Sequence, residues 1–424
     1  MKQEEIKLRI SNRMDDDLKI VRMGKKAREK LIVSCNSQLE IWTDPFLNSK
    51  IHKVEQAFIK DLKSLSNEKE IEDTVFVSKA AYDAINRNLK SSDIFFASKK
   101  KPTCVGSDPE FAMYIDDNII ATASELLPFD SKIGSDGPLG ELRADPGTTP
   151  KEHVNNLEKL ILKIPEVVEN RIKCKIDTYI DGREANIRSY EESDKIGTTR
   201  PFLGSCGGHI HLGITKKLYK IKNISKMISE LLDRTVAICI NRLDIDLGKK
   251  RRDNTGYGKM GDFKTRYNND QYRLEYRVLS GTWLLYKDLS ETVLSVISGI
   301  VEEITERFSD YIDSTGESSE LVNIISTEDK KNKIIKKLFP EIYDIYTKKS
   351  YSEISRMLTN KTNSSKYYEY IKYVLGNVSN LINTEELKSF KKITKCKSSM
   401  YEKLNRSFIE NWTYGTSVFD HISK

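Results

Sequence analysis

The sequence predicts an α+β protein in which an antiparallel sheet has polar side chains on one face and helices packed on the other. Short stretches of alternating charged and apolar residues predict the strands, and stretches of helical periodicity lie between them. The 424 residues, 38% apolar and 31% charged, can bury a sizeable core, but single cores stop growing near 250–300 residues. We therefore expect a small β-rich N-terminal domain (1–100), a central α+β domain (101–316) and a helical C-terminal region (317–424) that packs on or extends it.

Charge and cysteine usage exclude several classes of protein. The 70 basic and 63 acidic side chains leave a net charge of +7, too dilute for a specific nucleic-acid or membrane surface. The six cysteines form no CxxC pair, which argues against a zinc cluster or a disulfide-rich secreted scaffold. No apolar leader opens the sequence, and Glu302 and Glu303 break the most apolar helical run. A cytoplasmic protein is expected.

The first hundred residues suggest a duplicated unit. Ile20–Ala27 and Thr74–Ala81 can be aligned as a short apolar strand, a small residue, a lysine and a helical turn. The run Lys99–Lys101 followed by Pro102 is typical of a surface linker, so we place a domain boundary there.

Helical periodicity covers three long stretches of the central segment, residues 150–173, 217–246 and 286–310. Thr149 is suited to cap the first helix, with Pro150 at its first position. Shorter helices are predicted at 329–338, 351–358 and 366–375, as a packing or partner surface.

Two predicted strands place basic or imidazole groups on one face, because successive side chains of a strand point to opposite sides. In Tyr272–Leu279 that face holds Arg273, Glu275 and Arg277. In residues 207–213 it holds His209 and His211. The alternatives are a surface ion-pair ladder and a pair of hydrogen-bonded core histidines.

The glycines Gly207 and Gly208 precede the two histidines, and their lack of a side chain permits close approach of the backbone.

Two further stretches repeat the pattern with carboxylates. Asp108 and Glu110 share one face of residues 106–114. The face at 140–147 is formed by Glu141, Arg143 and Asp145. Any one of these could be a solvated face of an open antiparallel sheet.

If the strands are neighbours in one sheet, five candidate ligands converge, and such like charges need cations or protons to neutralise them. The five are Asp108, Glu110, Glu141, His209 and Glu275. Oxygen-rich sets favour Mg²⁺ or Mn²⁺ over Zn²⁺, and Mg²⁺ commonly completes its shell with water and phosphate oxygens. This predicts a nucleoside triphosphate as a co-substrate.

Basic residues beside this cluster complete the hypothesis. Arg143, Arg273 and Arg277 are candidates for bidentate contacts with phosphate or carboxylate oxygens. A glycine-punctuated basic loop at 249–266, with Arg252 and Lys259, could close over phosphates; alternatively it is a solvated loop or a nonspecific polyanion patch. The chain has no GxxxxGK[ST] motif, which disfavours a P-loop fold.

Taken in order, GSDPEF, GELRADP, GGHIHLG, RRDNTGYGKMGDF and YRLEYRVLSGTW resemble the carboxylate-amine ligase superfamily, particularly the amidoligases of tailed phages. These are distant relatives of glutamine synthetase and γ-glutamylcysteine synthetase. The resemblance spans about residues 105–283. It implies a glutamine synthetase-like antiparallel catalytic sheet, whose concave face holds metal ions and ATP. It also implies that ATP converts a carboxylate to an acyl phosphate, which an amine attacks to form an amide.

The resemblance also assigns roles. The metal ligands are Asp108, Glu110, Glu141, His209 and Glu275, with Asp108 in contact through water because it is shorter than the glutamate of glutamine synthetase. His211 is implied to contact phosphate, while Arg273 and Arg277 bind ATP phosphate and the activated carboxylate. The predicted catalytic set is Arg273, Arg277, Glu275 and His211; the predicted nucleotide-binding set is His211, Arg143, Arg273, Arg252, Lys259, Gly207 and Gly208.

Two other interpretations stay open. A metal-dependent hydrolase could use the HxH strand, although such sites commonly hold more imidazoles and only His52, His153 and His421 remain. A non-catalytic phage assembly or binding protein could retain the ligase scaffold, but charged faces on all four strands argue against it. The expected partners are a small-molecule or peptide acid and an amine. If the chain is phage-encoded, its setting is the host cytoplasm.

Overall fold

The computed structural model describes six backbone strands within residues 1–100 and a larger part of the remaining chain. The described ranges of that part are 104–116, 119–147, 149–169, 171–178, 186–188, 200–201, 206–244, 258–268, 271–315, 323–359, 365–382, 385–395 and 407–422. The chain divides into two compact units, Met1–Pro102 and Thr103–Lys424. Within the described residues, no helix combines the length and the apolarity that crossing a bilayer requires.

The first unit is a closed six-stranded sheet. Its strands are β1 (Gln3–Ile10), β2 (Ile20–Met23), β3 (Gln38–Trp42), β4 (Lys53–Asp61), β5 (Thr74–Val77) and β6 (Phe95–Lys100). The order is β1-β5-β2-β4-β3-β6, and β6 pairs back to β1. The pairs β1–β5 and β2–β4 are parallel and the other four are antiparallel.

The pairing pattern of this sheet supports the predicted duplication. Exchanging β1, β2 and β3 for β4, β5 and β6 leaves every pair and its direction unchanged. The predicted helical turns after β2 and β5 lie outside the described residues. Lys99 and Lys100 are not a linker, as the composition suggested, because they end strand β6.

The second unit contains two sheets. Its strands are β7 (Val105–Ser107), β8 (Glu110–Asp116), β9 (Ile119–Ala121), β10 (Ile133–Asp136), β11 (Leu139–Leu142), β12 (Lys175–Asp177), β13 (Asn186–Arg188), β14 (Arg200–Pro201), β15 (Ile210–Ile214), β16 (Phe263–Asn268) and β17 (Gln271–Tyr276). One sheet has the order β10-β11-β8-β9-β13-β14, with β12 also paired to β8; the other has the order β16-β17-β15-β7. Every pair is antiparallel except β9–β13.

The four charged stretches therefore lie in two sheets, so the condition that they are neighbours in one sheet is not met. The two sheets meet at Asp108 and Pro109, between β7 and β8. A proline has no N–H to donate to a ladder, so one continuous strand is interrupted here. The amide of Asp108 donates to the carbonyl of His209 at 3.4 Å, and that of Glu110 donates to Gly207 at 2.9 Å. These bonds hold the edges of the sheets together.

Helices cover the sheets and form the C-terminal part of the chain, which confirms the predicted mixture of helix and antiparallel sheet. They are α1 (Ala123–Leu126), α2 (Pro150–Ile161), α3 (Ile164–Glu169), α4 (Lys216–Tyr219), α5 (Ile224–Leu232), α6 (Ile238–Ile240), α7 (Lys287–Thr315), α8 (Glu328–Leu338), α9 (Pro340–Lys348), α10 (Tyr351–Thr359), α11 (Ser365–Leu381), α12 (Glu385–Ile393), α13 (Phe408–Thr413) and α14 (Phe419–Ile422). A π-helical turn (Asp233–Ala237) joins α5 to α6, and a 3₁₀ turn (Gly281–Leu284) precedes α7.

Two predicted helices are shorter than their periodicity indicated. The amide of Glu152 donates to the Thr149 hydroxyl at 3.2 Å, which confirms the cap of α2. The helix nevertheless ends at Ile161, because Pro165 has no N–H to donate to the carbonyl four residues earlier. The stretch 217–246 is divided at Asn223, whose φ of 68° is left-handed.

The C-terminal helices pack on the same core as the sheets. The indole of Trp412 is 2% exposed and donates to the carbonyl of Leu284 at 2.7 Å. Beside it, the side-chain amide of Asn411 donates to the carbonyl of Leu285 at 3.2 Å. Both carbonyls lie between β17 and α7, so α13 supports the segment that follows the strand of Glu275.

We predict that Trp412→Ala lowers the free energy of unfolding by about 3–5 kcal/mol, since it leaves a cavity and removes a buried hydrogen bond. Tyr414→Ala is the matched control, because Tyr414 lies two residues away and is 68% exposed; it should cost less than about 0.5 kcal/mol. Urea denaturation of both variants measures the difference. Equal losses of unfolding free energy in the two variants would contradict the supporting role of α13.

Candidate functional site

Three side chains from three segments meet where the two sheets join. Asp108 follows β7, His209 precedes β15 and Glu275 lies in β17. One ligand atom from each lies within 4.8 Å of the others. His209 Nδ1 is 3.2 Å from Asp108 Oδ1 and 4.0 Å from Glu275 Oε1. His209 and Glu275 are each 3% exposed.

Asp108 lies between the two imidazoles of the HxH stretch. Its Oδ2 is 3.0 Å from Nε2 of His211. Arg273 donates to Nδ1 of His211 at 3.2 Å, and because a guanidinium only donates, Nδ1 carries the lone pair and Nε2 the proton. Burial favours the protonated form of Asp108, but the imidazoles of His209 and His211 hold its pKa well below its ordinary value. The carboxylate is therefore ionised.

Two guanidiniums flank Glu275, as the alternation of the strand predicts. Arg277 Nε is 3.3 Å from Oε1 and Arg273 NH2 is 3.9 Å from Oε2. His211 is the direct cross-strand neighbour of Glu275. The predicted residues Arg273, Glu275 and Arg277 thus share one face with the histidines, at the junction of the sheets.

Asp262, which sequence reasoning missed, holds Arg277 from the other side. Its Oδ1 is 3.8 Å from NH1 of Arg277, and its carbonyl accepts from the Arg277 amide at 3.2 Å. Its Oδ2 accepts from the amide of Gly258 at 2.8 Å, which closes a turn containing Gly258 and Gly261 with φ of 69° and 74°. Two glycines followed by an aspartate were the available signal for this turn.

A buried aspartate in the π-helical turn anchors the same loop. Asp233 is fully buried, and its Oδ2 accepts from the amide of Gly261. Its Oδ1 accepts from the hydroxyl of Tyr276 at 2.6 Å. The contact joins the π-helical turn to the strand that holds Glu275, and no sequence pattern connects these segments.

Glu110 and Glu141, the two other predicted ligands, are direct cross-strand partners on β8 and β11. Glu110 accepts from the amide of Gly207, and Glu141 forms an ion pair with Arg143. Burial and the nearby carboxylate of Asp108 raise the pKa of Glu141 to about 7. Negative charge from both sheets therefore accumulates beside Asp108.

The candidate phosphate contacts have different surroundings. Arg143 donates to the carbonyls of Ser131 and Ser135 at 3.2 and 2.9 Å, and to that of Phe129. These bonds hold β10 and the segment that precedes it. Lys259 is exposed. Arg252 lies outside the described residues.

The glycine pair is tightly enclosed by protein. A Cβ on Gly208 would collide with the carbonyl of Ser280 and the indole of Trp283, and a Cβ on Gly207 would collide with the ring of His209. The Gly208 carbonyl accepts from the Trp283 indole at 3.1 Å. In this structure, the close approach that the glycines permit brings His209 and the β17–α7 segment against the backbone.

The cluster fits a divalent cation. Asp108 Oδ1 is buried and accepts no hydrogen bond of good geometry from any described residue. It lies beside the carboxylate of Glu275, and burial together with the charge of Asp108 raises the pKa of Glu141. Carboxylate oxygens with one imidazole are donors that Mg²⁺ or Mn²⁺ accepts.

A third histidine, His153 of α2, supports β7 beside the cluster. Its Nδ1 is 2.9 Å from the carbonyl of Asp145, which only accepts, so Nδ1 carries the proton. Its Nε2 then accepts from the hydroxyl of Ser107 at 2.7 Å, next to Asp108. Burial lowers the pKa of His153 to about 4, and the ring is neutral.

This arrangement predicts a pH-dependent contribution to stability. The pKa of His153 is lower in the folded protein than the ordinary 6.5, so the unfolded state binds more protons between pH 6.5 and 4. The stabilisation by His153 is complete above pH 6.5 and is lost as the pH falls, by at most about 1.4 kcal/mol per pH unit. Denaturation of wild type and His153→Gln at pH 7, 6, 5 and 4.5 should show their difference shrinking. A difference that stays constant would contradict the buried neutral imidazole.

Comparison with known proteins gives one assignment that agrees with this geometry. Residues 105–369 match the model of the family described as phage phiEco32-like COOH.NH2 ligase, type 2. The match includes both sheets, the site and the helices as far as α11. No curated protein matches the chain significantly. Because the matched segment exceeds half of the sequence, the chain belongs to this phage-type family of carboxylate-amine ligases.

Proposed function

We propose that the protein is an ATP- and Mg²⁺-dependent ligase that joins a carboxylate to an amine through an acyl phosphate, on a catalytic face arranged as in glutamine synthetase. The observation that carries the proposal is the Asp108–His209–Glu275 cluster with the guanidiniums of Arg273 and Arg277 beside it. Family membership supports the reaction class.

Asp108, His209 and Glu275 would hold the metal, with Glu110 and Glu141 on its β8–β11 side. When bound, Mg²⁺ or Mn²⁺ would neutralise charge on the phosphate oxygens of the nucleotide. The protein prepares for this by keeping Asp108 ionised between two imidazoles, in the form that binds a cation.

The arginines would bind oxyanions. A guanidinium makes paired hydrogen bonds with phosphate or carboxylate and stabilises the charge of a transferring phosphoryl group. Arg277 lies between Glu275 and Asp262, which hold it beside the cluster. Arg273 is held by His211, so that the histidine positions the arginine while it also faces Asp108.

The proposed reaction has two steps and needs no covalent enzyme intermediate. A carboxylate oxygen attacks the γ-phosphorus of ATP, the bond to the β-phosphate oxygen breaks, and ADP leaves. The amine nitrogen then attacks the carbonyl carbon of the acyl phosphate, gives up a proton, and phosphate leaves. Holding the acid, ATP and the amine together replaces an encounter of three molecules. Cys206, which is 2% exposed, is not needed as a nucleophile.

The proposed partners are a small-molecule or peptide acid and an amine, with no specific nucleic acid and no membrane. The proposed setting is the cytoplasm, which is the host cytoplasm if the chain is phage-encoded.

We predict that the protein binds Mn²⁺ and that Asp108→Asn weakens this binding at least tenfold, about 1.4 kcal/mol, because a charged ligand is lost. Asp130→Asn is the matched control, since Asp130 is exposed and lies outside the cluster. Electron paramagnetic resonance of free Mn²⁺ measures both. Equal affinity in wild type and Asp108→Asn would remove Asp108 from the ligand set.

We predict that ADP release requires both an acid and an amine. Hydroxylamine serves as the amine, together with a panel of amino acids and short carboxylic acids, and the hydroxamate product is measured beside ADP. Glu275→Gln should lower turnover by about 10²–10³-fold with an unchanged circular dichroism spectrum, because a buried charge at the reacting centre is lost. Glu166→Gln, at an exposed position of α3, should keep the wild-type rate.

The same assay separates the alternatives. Cleavage of ATP or of another substrate that is independent of the amine would favour a hydrolase. Nucleotide and metal binding with no hydroxamate from any acid would favour a non-catalytic scaffold.

A further inference from the structure

Strand β16 places two exposed cations on the face of the sheet that holds the site. Lys264 is the direct cross-strand partner of Glu275, and Arg266 is the partner of Arg273. Directly opposed residues of antiparallel strands point to the same side, so Lys264 and Arg266 extend the face toward the sheet edge. The glycine-punctuated sequence predicts a loop for both residues, but they lie in a strand (Phe263–Asn268).

The opposition of Arg266 and Arg273 is unfavourable by itself. Like charges directly opposite each other on two paired strands repel. Within the described part of the chain, Lys264 and Arg266 form no ion pair. The Nε of Arg273 is buried, and no described residue accepts a hydrogen bond from it. The cationic side chains of Lys264, Arg266 and Arg273 thus lie in one region that holds fewer anionic groups than cationic ones.

The opposite face of this hairpin keeps the cations in register. Tyr267 and Tyr272 are direct partners with ring centroids 4.7 Å apart, and Tyr219 packs on Tyr272 at the same distance. Next to them, the buried Leu274 fixes the strand to the core. The backbone that carries Arg266 and Arg273 is therefore held in place, which lowers the entropic cost of binding an anion.

We propose that Lys264, Arg266 and Arg273 form an oxyanion subsite, here named the cationic edge, that holds an anionic group of a substrate about 7 Å along the strand from Glu275, the length of two residues. The occupant is a phosphate of the nucleotide or a second carboxylate of the acid. Both are planar or tetrahedral oxyanions that guanidinium and ammonium groups bind with charge-assisted hydrogen bonds.

The inference rests on the proposed ligase function and extends it, because a cationic edge on the same face would bind a substrate that carries more than one negative charge. The existence of the cationic edge does not depend on turnover. Binding of an anion without metal tests the subsite, whereas hydroxamate formation tests the ligase, so that failure of one is distinguishable from failure of the other.

The experiment titrates full-length protein with tripolyphosphate, and separately with glutamate, in EDTA at low ionic strength, by calorimetry. We expect at least one probe to bind with an affinity that falls as salt is added. The double variant Lys264→Gln with Arg266→Gln should weaken that probe about tenfold or more, while Lys222→Gln should change it less than about twofold. Lys222 is an exposed lysine outside the hairpin and gives a matched loss of charge.

The outcomes assign the occupant. Loss of tripolyphosphate binding in the double variant identifies the nucleotide phosphate, and loss of glutamate binding identifies a second carboxylate. If wild type binds neither probe, or if the double variant binds both as tightly as wild type does, the subsite is overturned. A double variant with wild-type circular dichroism and unchanged Michaelis constants for ATP and acid would overturn it as well, and would leave the ligase function standing.

Discussion

Accumulated negative charge is the constraint on which the rest of this site depends. Asp108 and Glu275 approach each other at the junction of two sheets, and burial together with the carboxylate of Asp108 raises the pKa of Glu141. Buried carboxylates of this kind persist only when cations, protons or hydrogen bonds balance them. The imidazoles of His209 and His211 and the guanidiniums of Arg273 and Arg277 supply part of that balance, and a divalent cation would supply the rest.

The scaffold serves mainly to hold these groups in place. His153 braces the strand before Asp108, and Asp262 holds Arg277 through a turn that Asp233 anchors. The C-terminal helix containing Trp412 supports the segment after β17. The segments that carry Asp108, Arg277 and Glu275 are thus each supported by a contact from another element of the fold. Under the proposed ligase function, this preorganisation would help the site to stabilise the charge of a transferring phosphoryl group.

Strand faces were predictable because the two-residue period of a strand is local. Arg273 and Glu275 share a face as the alternation indicated, and His211 lies opposite Glu275. The helix cap at Thr149 is local too. Breaks at Pro165 and Asn223 were missed because apolar periodicity continues through them while the backbone cannot. The split into two sheets was missed because pairing partners are not encoded by alternation.

The sequence by itself determined which residue types share a strand face. It therefore predicted that the carboxylates, imidazoles and arginines of these strands form one functional site. Their order along the chain also carried the family resemblance. Only the tertiary structure decided which of them meet: Asp108 with His209 and Glu275, Arg277 with Asp262, and the cations of β16 with the face of β17. The physical reason is that side-chain direction follows from local backbone geometry, whereas register and sheet order follow from long-range packing.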